Sequence, residues 1–148
     1  MELDYITNTN TIIFSPLYNK PLSPELTSYH KKIIFANFVL NNELFEAYEN
    51  GKCYNFTYIG SQFNQPLSNS LNNCTTLTHI NFGWKFNQPL GNSLENCTAL
   101  THLTFGFNFN CHLHNSLENC TALTHIVFGQ YFNCHLHNLL NNCTALTH

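Results

Sequence analysis

The feature that constrains this chain most is a spacing: Phe63, Phe86, Phe109 and Phe132 each open a unit and lie 23 residues apart. The units read FNQPLSNSLNNCTTLTHINFGWK, FNQPLGNSLENCTALTHLTFGFN, FNCHLHNSLENCTALTHIVFGQY and FNCHLHNLLNNCTALTH. A chain that repeats itself at such a period has to build one small structural unit and stack it on its copies, because a single unit cannot bury its own apolar side chains.

Within a unit, LTHLTFG alternates Leu100, Leu103 and Phe105 with Thr101, His102 and Thr104, the period-two pattern of a half-buried strand. Leu103 and Phe105 are therefore expected inside, and His102, Thr104 and Gly106 outside. Gly83, Gly106 and Gly129 follow the strands and are read as residues whose tolerance of positive φ turns the chain out of the sheet. The other half, FNxxLxNSLxNCTA, favours turns and short 3₁₀ or helical segments, with Ser93 and Ser116 as caps.

Upstream, IIFSPLYNKPLSPEL matches INFGWKFNQPLGNSL, with Tyr18 in the place of Phe86 and Leu22 in that of Leu90. A further unit surrounds Phe35, and Ile59-Gly60 takes the place of Phe82-Gly83. The inward row is then Phe14, Phe35, Ile59, Phe82, Phe105 and Phe128. The chain divides into a lead-in (1–11), degenerate repeats (12–62) and regular repeats (63–148, the last one shorter), as one β-rich α/β solenoid with one short parallel strand per coil.

LTHLTFG with the Leu positions that follow resembles the leucine-rich-repeat pattern, and the FNQP tetrad in units of this length resembles the FNIP repeat of social amoebae and giant DNA viruses of amoebae. The match is strong over 56–148 and weak over 12–55, and in two units the tetrad reads FNCH. What the resemblance implies is a leucine-rich-repeat-like solenoid that binds protein, in a family whose repeats often stand beside the F-box of ubiquitin-ligase adaptors. Here Leu22-Ser23-Pro24-Glu25-Leu26 resembles an F-box opening but fits the repeat register better.

Several residues recur as ladders. Asn64, Asn87, Asn110 and Asn133, and likewise Asn73, Asn96, Asn119 and Asn142, are expected to bond turn backbone in neighbouring coils. Cys74, Cys97, Cys120 and Cys143 fill an inner corner as reduced thiols. The Asn-Cys-Thr triplets fit the N-glycosylation pattern, yet a glycan on every packed turn would obstruct stacking. His79, His102, His125 and His148 hold the first outward strand position and form an imidazole row.

Charge narrows the function. There is no Arg, the five Lys are scattered and the net charge is -3, which disfavours a phosphate-tracking surface and so a nucleic-acid partner. No basic, apolar leader opens the chain and no stretch reaches membrane-spanning length, so the expectation is a cytoplasmic protein, in the host cytosol or nucleus if viral, with no membrane partner. No nucleophile with its base, paired carboxylates or phosphate loop stands outside the repeat pattern, so no enzyme is expected and no cofactor is required.

The leading expectation is a protein partner on the strand face, through His79, Asn81, His102, Thr104, His125 and Val127, extended by Trp84, Phe107 and Tyr131. One alternative is zinc or copper at Cys111, His112, His114, Cys134, His135 and His137, which lie one period apart but replace Gln88-Pro89-Leu90-Gly91 of an earlier copy. Another is a decayed gene fragment, since the sequence stops at Leu146-Thr147-His148 as a strand begins, leaving an edge open to self-association.

Overall fold

The structure, a computed structural model, describes residues 4–36, 60–136 and 138–148. Its six short strands lie in one sheet in chain order: β1 (Tyr5–Thr7), β2 (Thr11–Phe14), β3 (Lys32–Phe35), β4 (His79–Asn81), β5 (His102–Thr104) and β6 (His125–Val127). Strands β2 to β6 are parallel, and β1 pairs antiparallel with β2. Helix α1 (Pro24–Thr27) is a single turn. The whole is a mostly-strand β-solenoid of about 4 turns with little helix.

The period fixes the register. His79, His102 and His125 are partners across β4, β5 and β6, as are Ile80, Leu103 and Ile126, so equivalent residues form columns along the solenoid axis. Leu103 is fully buried and Phe105 nearly so, facing inward as the alternation predicts. Between strands the coils run through successive i to i+3 turns, such as Ser93 N–H to Leu90 O and Cys97 N–H to Leu94 O, without a regular helix.

Two rows of rings interlock in the core. Phe14, Phe35, Phe82, Phe105 and Phe128 form one, and Tyr18, Phe63, Phe86, Phe109 and Phe132 the other, with near-parallel rings 5.6–6.1 Å apart from Phe82 and Phe86 onward. Within a coil the rows touch, at 4.2 Å for Phe82 and Phe86 and 3.9 Å for Phe105 and Phe109. Burying a Phe contributes on the order of 2–3 kcal/mol, so these rows carry much of the stability that a single unit lacks.

The glycine after each strand has a different reason from the one its sequence position implies. Gly83, Gly106 and Gly129 are not in the left-handed region; positive φ occurs at Gly60 and Gly91 and, outside glycine, at Ser68, His114 and Asn138. A Cβ on Gly106 would meet the carbonyl oxygen of Gly83 at 1.9 Å, and one on Gly129 the carbonyl of Gly106 at 1.9 Å. Close approach of consecutive coils, not turn geometry, excludes a side chain there.

The degenerate region also departs from its expected register. Strand β3 pairs directly with β4, Lys32 opposite His79 and Ile33 opposite Ile80, and Phe35 stacks on Phe82 at 6.1 Å. Phe35 also meets Phe63 at 4.0 Å, taking the contact that Phe82 makes with Phe86. Phe35 thus stands next to Phe82 in the row; Ile59, expected from sequence between them, lies outside the described residues.

Candidate interaction surface

Three columns run along the outer side of the regular coils. The first begins at Lys32 and continues through His79, His102 and His125. Consecutive imidazoles stack with centroids 4.3 and 4.4 Å apart and planes within 7°, and His148 extends the row at 4.6 Å. The spacing follows from parallel strand pairing, which places identical side chains side by side at a little under 5 Å.

Each imidazole is held by the threonine before it. Nδ1 of His79, His102, His125 and His148 lies 2.8–2.9 Å from Oγ1 of Thr78, Thr101, Thr124 and Thr147. Those hydroxyls donate to carbonyls one coil back, Thr101 to Thr78 O at 2.9 Å and Thr124 to Thr101 O at 3.0 Å. Burial, then the neighbouring imidazole, then Lys32 hold the pKa of His79 and of His102 below the ordinary imidazole value. The neutral form is thereby favoured at His79 and His102.

The second column is Asn81, Thr104 and Val127, in direct register; the first two are half-buried and Val127 is exposed. The third is Trp84, Phe107 and Tyr131. Trp84 and Phe107 stack at 4.5 Å, while Tyr131 turns edge-on to Phe107 at 79° and is 59% exposed. The nine residues expected on the face are thus brought into three adjacent columns. Around the corner from Tyr131, Lys85 and the amides of Asn64, Asn87 and Asn110 line a shallow groove of about 880 Å³.

The Asn rows behave as the sequence implies. Oδ1 of Asn64 accepts the backbone N–H of Asn87 at 2.9 Å, Asn87 serves Asn110 at 2.8 Å and Asn110 serves Asn133 at 2.7 Å. In the other row the amide donates backward, Asn96 to Asn72 O, Asn119 to Glu95 O and Asn142 to Glu118 O. Cys74, Cys97, Cys120 and Cys143 are buried free thiols, and desolvation pushes Cys97 and Cys120 up to about 12. Ser93 does not cap its own turn; its hydroxyl donates to Ser68 O in the previous coil.

The candidate metal residues occupy a different position. Sγ of Cys111 donates to O and Oδ1 of Asn87 at 3.4 and 3.3 Å, and Cys134 to O and Oδ1 of Asn110 at 3.4 and 3.5 Å. Gln88 makes the same pair of bonds to Asn64 through Nε2, so these cysteines replace a glutamine as donors to the Asn row. Burial, then Cys134, raises the Cys111 pKa, which opposes the thiolate a metal needs. His112, His114 and His135 are exposed, the first two 5.7 Å apart and tilted by 37°. His137 lies outside the described residues, among which no three His, Cys, Asp or Glu are placed to hold a metal ion. Nor is any helix there long and apolar enough to cross a membrane.

The geometry defines a repeat solenoid with a displayed strand face. No family model, curated protein or solved structure matches the chain.

Proposed function

We propose that this chain is a protein-binding repeat module, a leucine-rich-repeat-like solenoid of the FNIP type, that takes its partner on the strand face. The observation that supports this most is the alignment of three columns, an imidazole one, one of Asn81, Thr104 and Val127, and an aromatic one, on one side of a strand ladder. Solenoids present extended surfaces of this kind, and aromatic side chains anchor partners because they bring large area at little entropic cost. Binding rather than catalysis is the role we read for this surface, in the cytosol or nucleus, and the resemblance to FNIP repeats supports a relation to the substrate-recognition parts of F-box adaptors.

Affinity capture from host lysate with the full chain and a Trp84→Ala/Phe107→Ala/Tyr131→Ala variant tests the proposal. A partner lost by the variant, with an unchanged far-UV circular dichroism spectrum, supports it. Equal capture by both chains contradicts it.

A further inference from the structure

The Thr-His pairs contain a proton count that identifies which imidazole nitrogen faces the partner. A threonine hydroxyl has one hydrogen to donate, and a carbonyl has none. Thr101 Oγ1 lies 2.9 Å from Thr78 O and 2.9 Å from Nδ1 of His102. If the hydroxyl hydrogen pointed at Nδ1, two oxygens would face each other at hydrogen-bonding distance with no proton between them. Only one assignment fills both contacts: the hydroxyl donates to the carbonyl and Nδ1–H donates to the hydroxyl. A neutral imidazole has a single N–H, so Nε2 is left as a bare lone pair.

The arrangement recurs at Thr78 and His79 (3.0 and 2.8 Å), Thr124 and His125 (3.0 and 2.9 Å), and Thr147 and His148 (3.2 and 2.9 Å). Nε2 of these residues has no hydrogen-bond partner among the described residues. The face therefore carries a row of acceptors about 4.4 Å apart. The row is not a zinc chelate: rings parallel to within 7° send their lone pairs in parallel directions, whereas ligands about 2 Å from one ion must converge on it.

We propose that this Nε2 row receives a basic segment of a partner protein, whose Lys or Arg N–H groups donate to the imidazoles while a cationic head group rests on the exposed Tyr131 ring. The proposal rests on the protein-binding reading above and names the chemistry of its partner. Complementarity favours this occupant: lone pairs and an exposed aromatic ring attract cations, and a carboxylate would set acceptor against acceptor. The charged and titratable groups facing the row are Lys32 on β3, His79 on β4, His102 on β5, His125 on β6 and the terminal His148. Protonation turns the whole row into donors and cations, so a basic partner leaves in acid. Lys32 sits at one end, which directs the segment toward β5 and β6.

Long-range ¹H–¹⁵N correlation on the full chain at about pH 7.5 reads the tautomers directly, well above the ordinary imidazole pKa. Nδ1–H at His79, His102 and His125 is expected, with His102 losing that preference in Thr101→Val; Nε2–H in the parent chain overturns the inference. Three ten-residue probe peptides, rich in Arg, Gln or Glu, then test the occupant. The Arg peptide is expected to bind about tenfold more tightly than the Gln peptide, to shift the His102 Nε2 resonance, and to be released near pH 5. Preference for the Glu peptide, equal binding of all three, or binding of none contradicts it. If those results come with a captured protein that the aromatic variant still loses, the basic-partner inference falls while the protein-binding reading stands.

Discussion

Ile13, Ile34, Asn81, Thr104 and Val127 occupy one outward column across β2 to β6, yet the column has two characters. Ile13 and Ile34 are buried, with Ile6 and Ala36, in a second small apolar cluster on the outer face. Asn81 and Thr104 are half-buried, and Val127 is 52% exposed. The burial patterns state the contrast: all four residues of β2 are buried, whereas in β4 and β5 only the central one is. The same ladder of backbone bonds thus supports a sheet covered on both faces at one end and on one face at the other. At β2 and β3 the outward Ile13 and Ile34 close the face, whereas at β4 to β6 Asn81, Thr104 and Val127 leave it open.

This difference can be broken directly. Ile13→Asn puts an amide among apolar side chains and should cost about 4 kcal/mol, the lost packing plus an unsatisfied polar group. Thr104→Ile, in the same column of an open coil, should move stability by about 0.5 kcal/mol or less. Urea denaturation midpoints of the two variants measure the contrast, and equal losses would mean that the columns are not in different environments. The next effect is at the inter-coil contact. Gly106→Ala sets a Cβ against Gly83 O and should cost about 3 kcal/mol, read by the same denaturation.

The imidazole row gives a pH-dependent effect confined to the open coils. His79 and His102 titrate below the unfolded value of 6.5, so at intermediate pH the unfolded chain binds more protons than the folded one. Stability contributed by keeping them neutral is full at higher pH and declines as the pH falls below 6.5, until it passes their folded values. Thermal melts between about pH 7.5 and 5 should show a falling Tm, flattened in His79→Gln/His102→Gln; an unchanged slope in that variant would assign the acid sensitivity elsewhere. The last effect is of opposite sign. His114 sits at φ 44 where Gly91 sits at φ 53 one coil earlier, so His114→Gly should stabilise by about 1 kcal/mol, seen as a raised urea midpoint.

The regular coils were the most legible part of the sequence because each position is written several times. Four copies of the Asn, Cys and His positions separate a ladder from chance, and the alternation around Leu103 and Phe105 fixes which side is inside. The degenerate coils have one copy each, so the register near Ile59 rested on a single Gly60, whereas β3 with Phe35 pairs directly with β4. Strand β1 was not legible: Tyr5-Ile6-Thr7 is too short for a periodic signal, and its partner β2 gives it its structure. Inter-coil causes leave no local trace either. Gly106 looks like a turn glycine until the Gly83 carbonyl is in place, and nothing in the sequence shows that Cys111 bonds to the Asn87 acceptors as Gln88 does to Asn64. The columns of the face followed from the period alone, but the Thr hydroxyls that orient the imidazoles required a structure.

The most direct test of the stacked-coil arrangement is a nuclear Overhauser experiment on the backbone of β4, β5 and β6. Contacts linking Ile80 to Leu103 and Leu103 to Ile126, each one period away along the chain, are expected from parallel strands in register. Cross-strand contacts confined to pairs within a single repeat, as in separate hairpins, would contradict it.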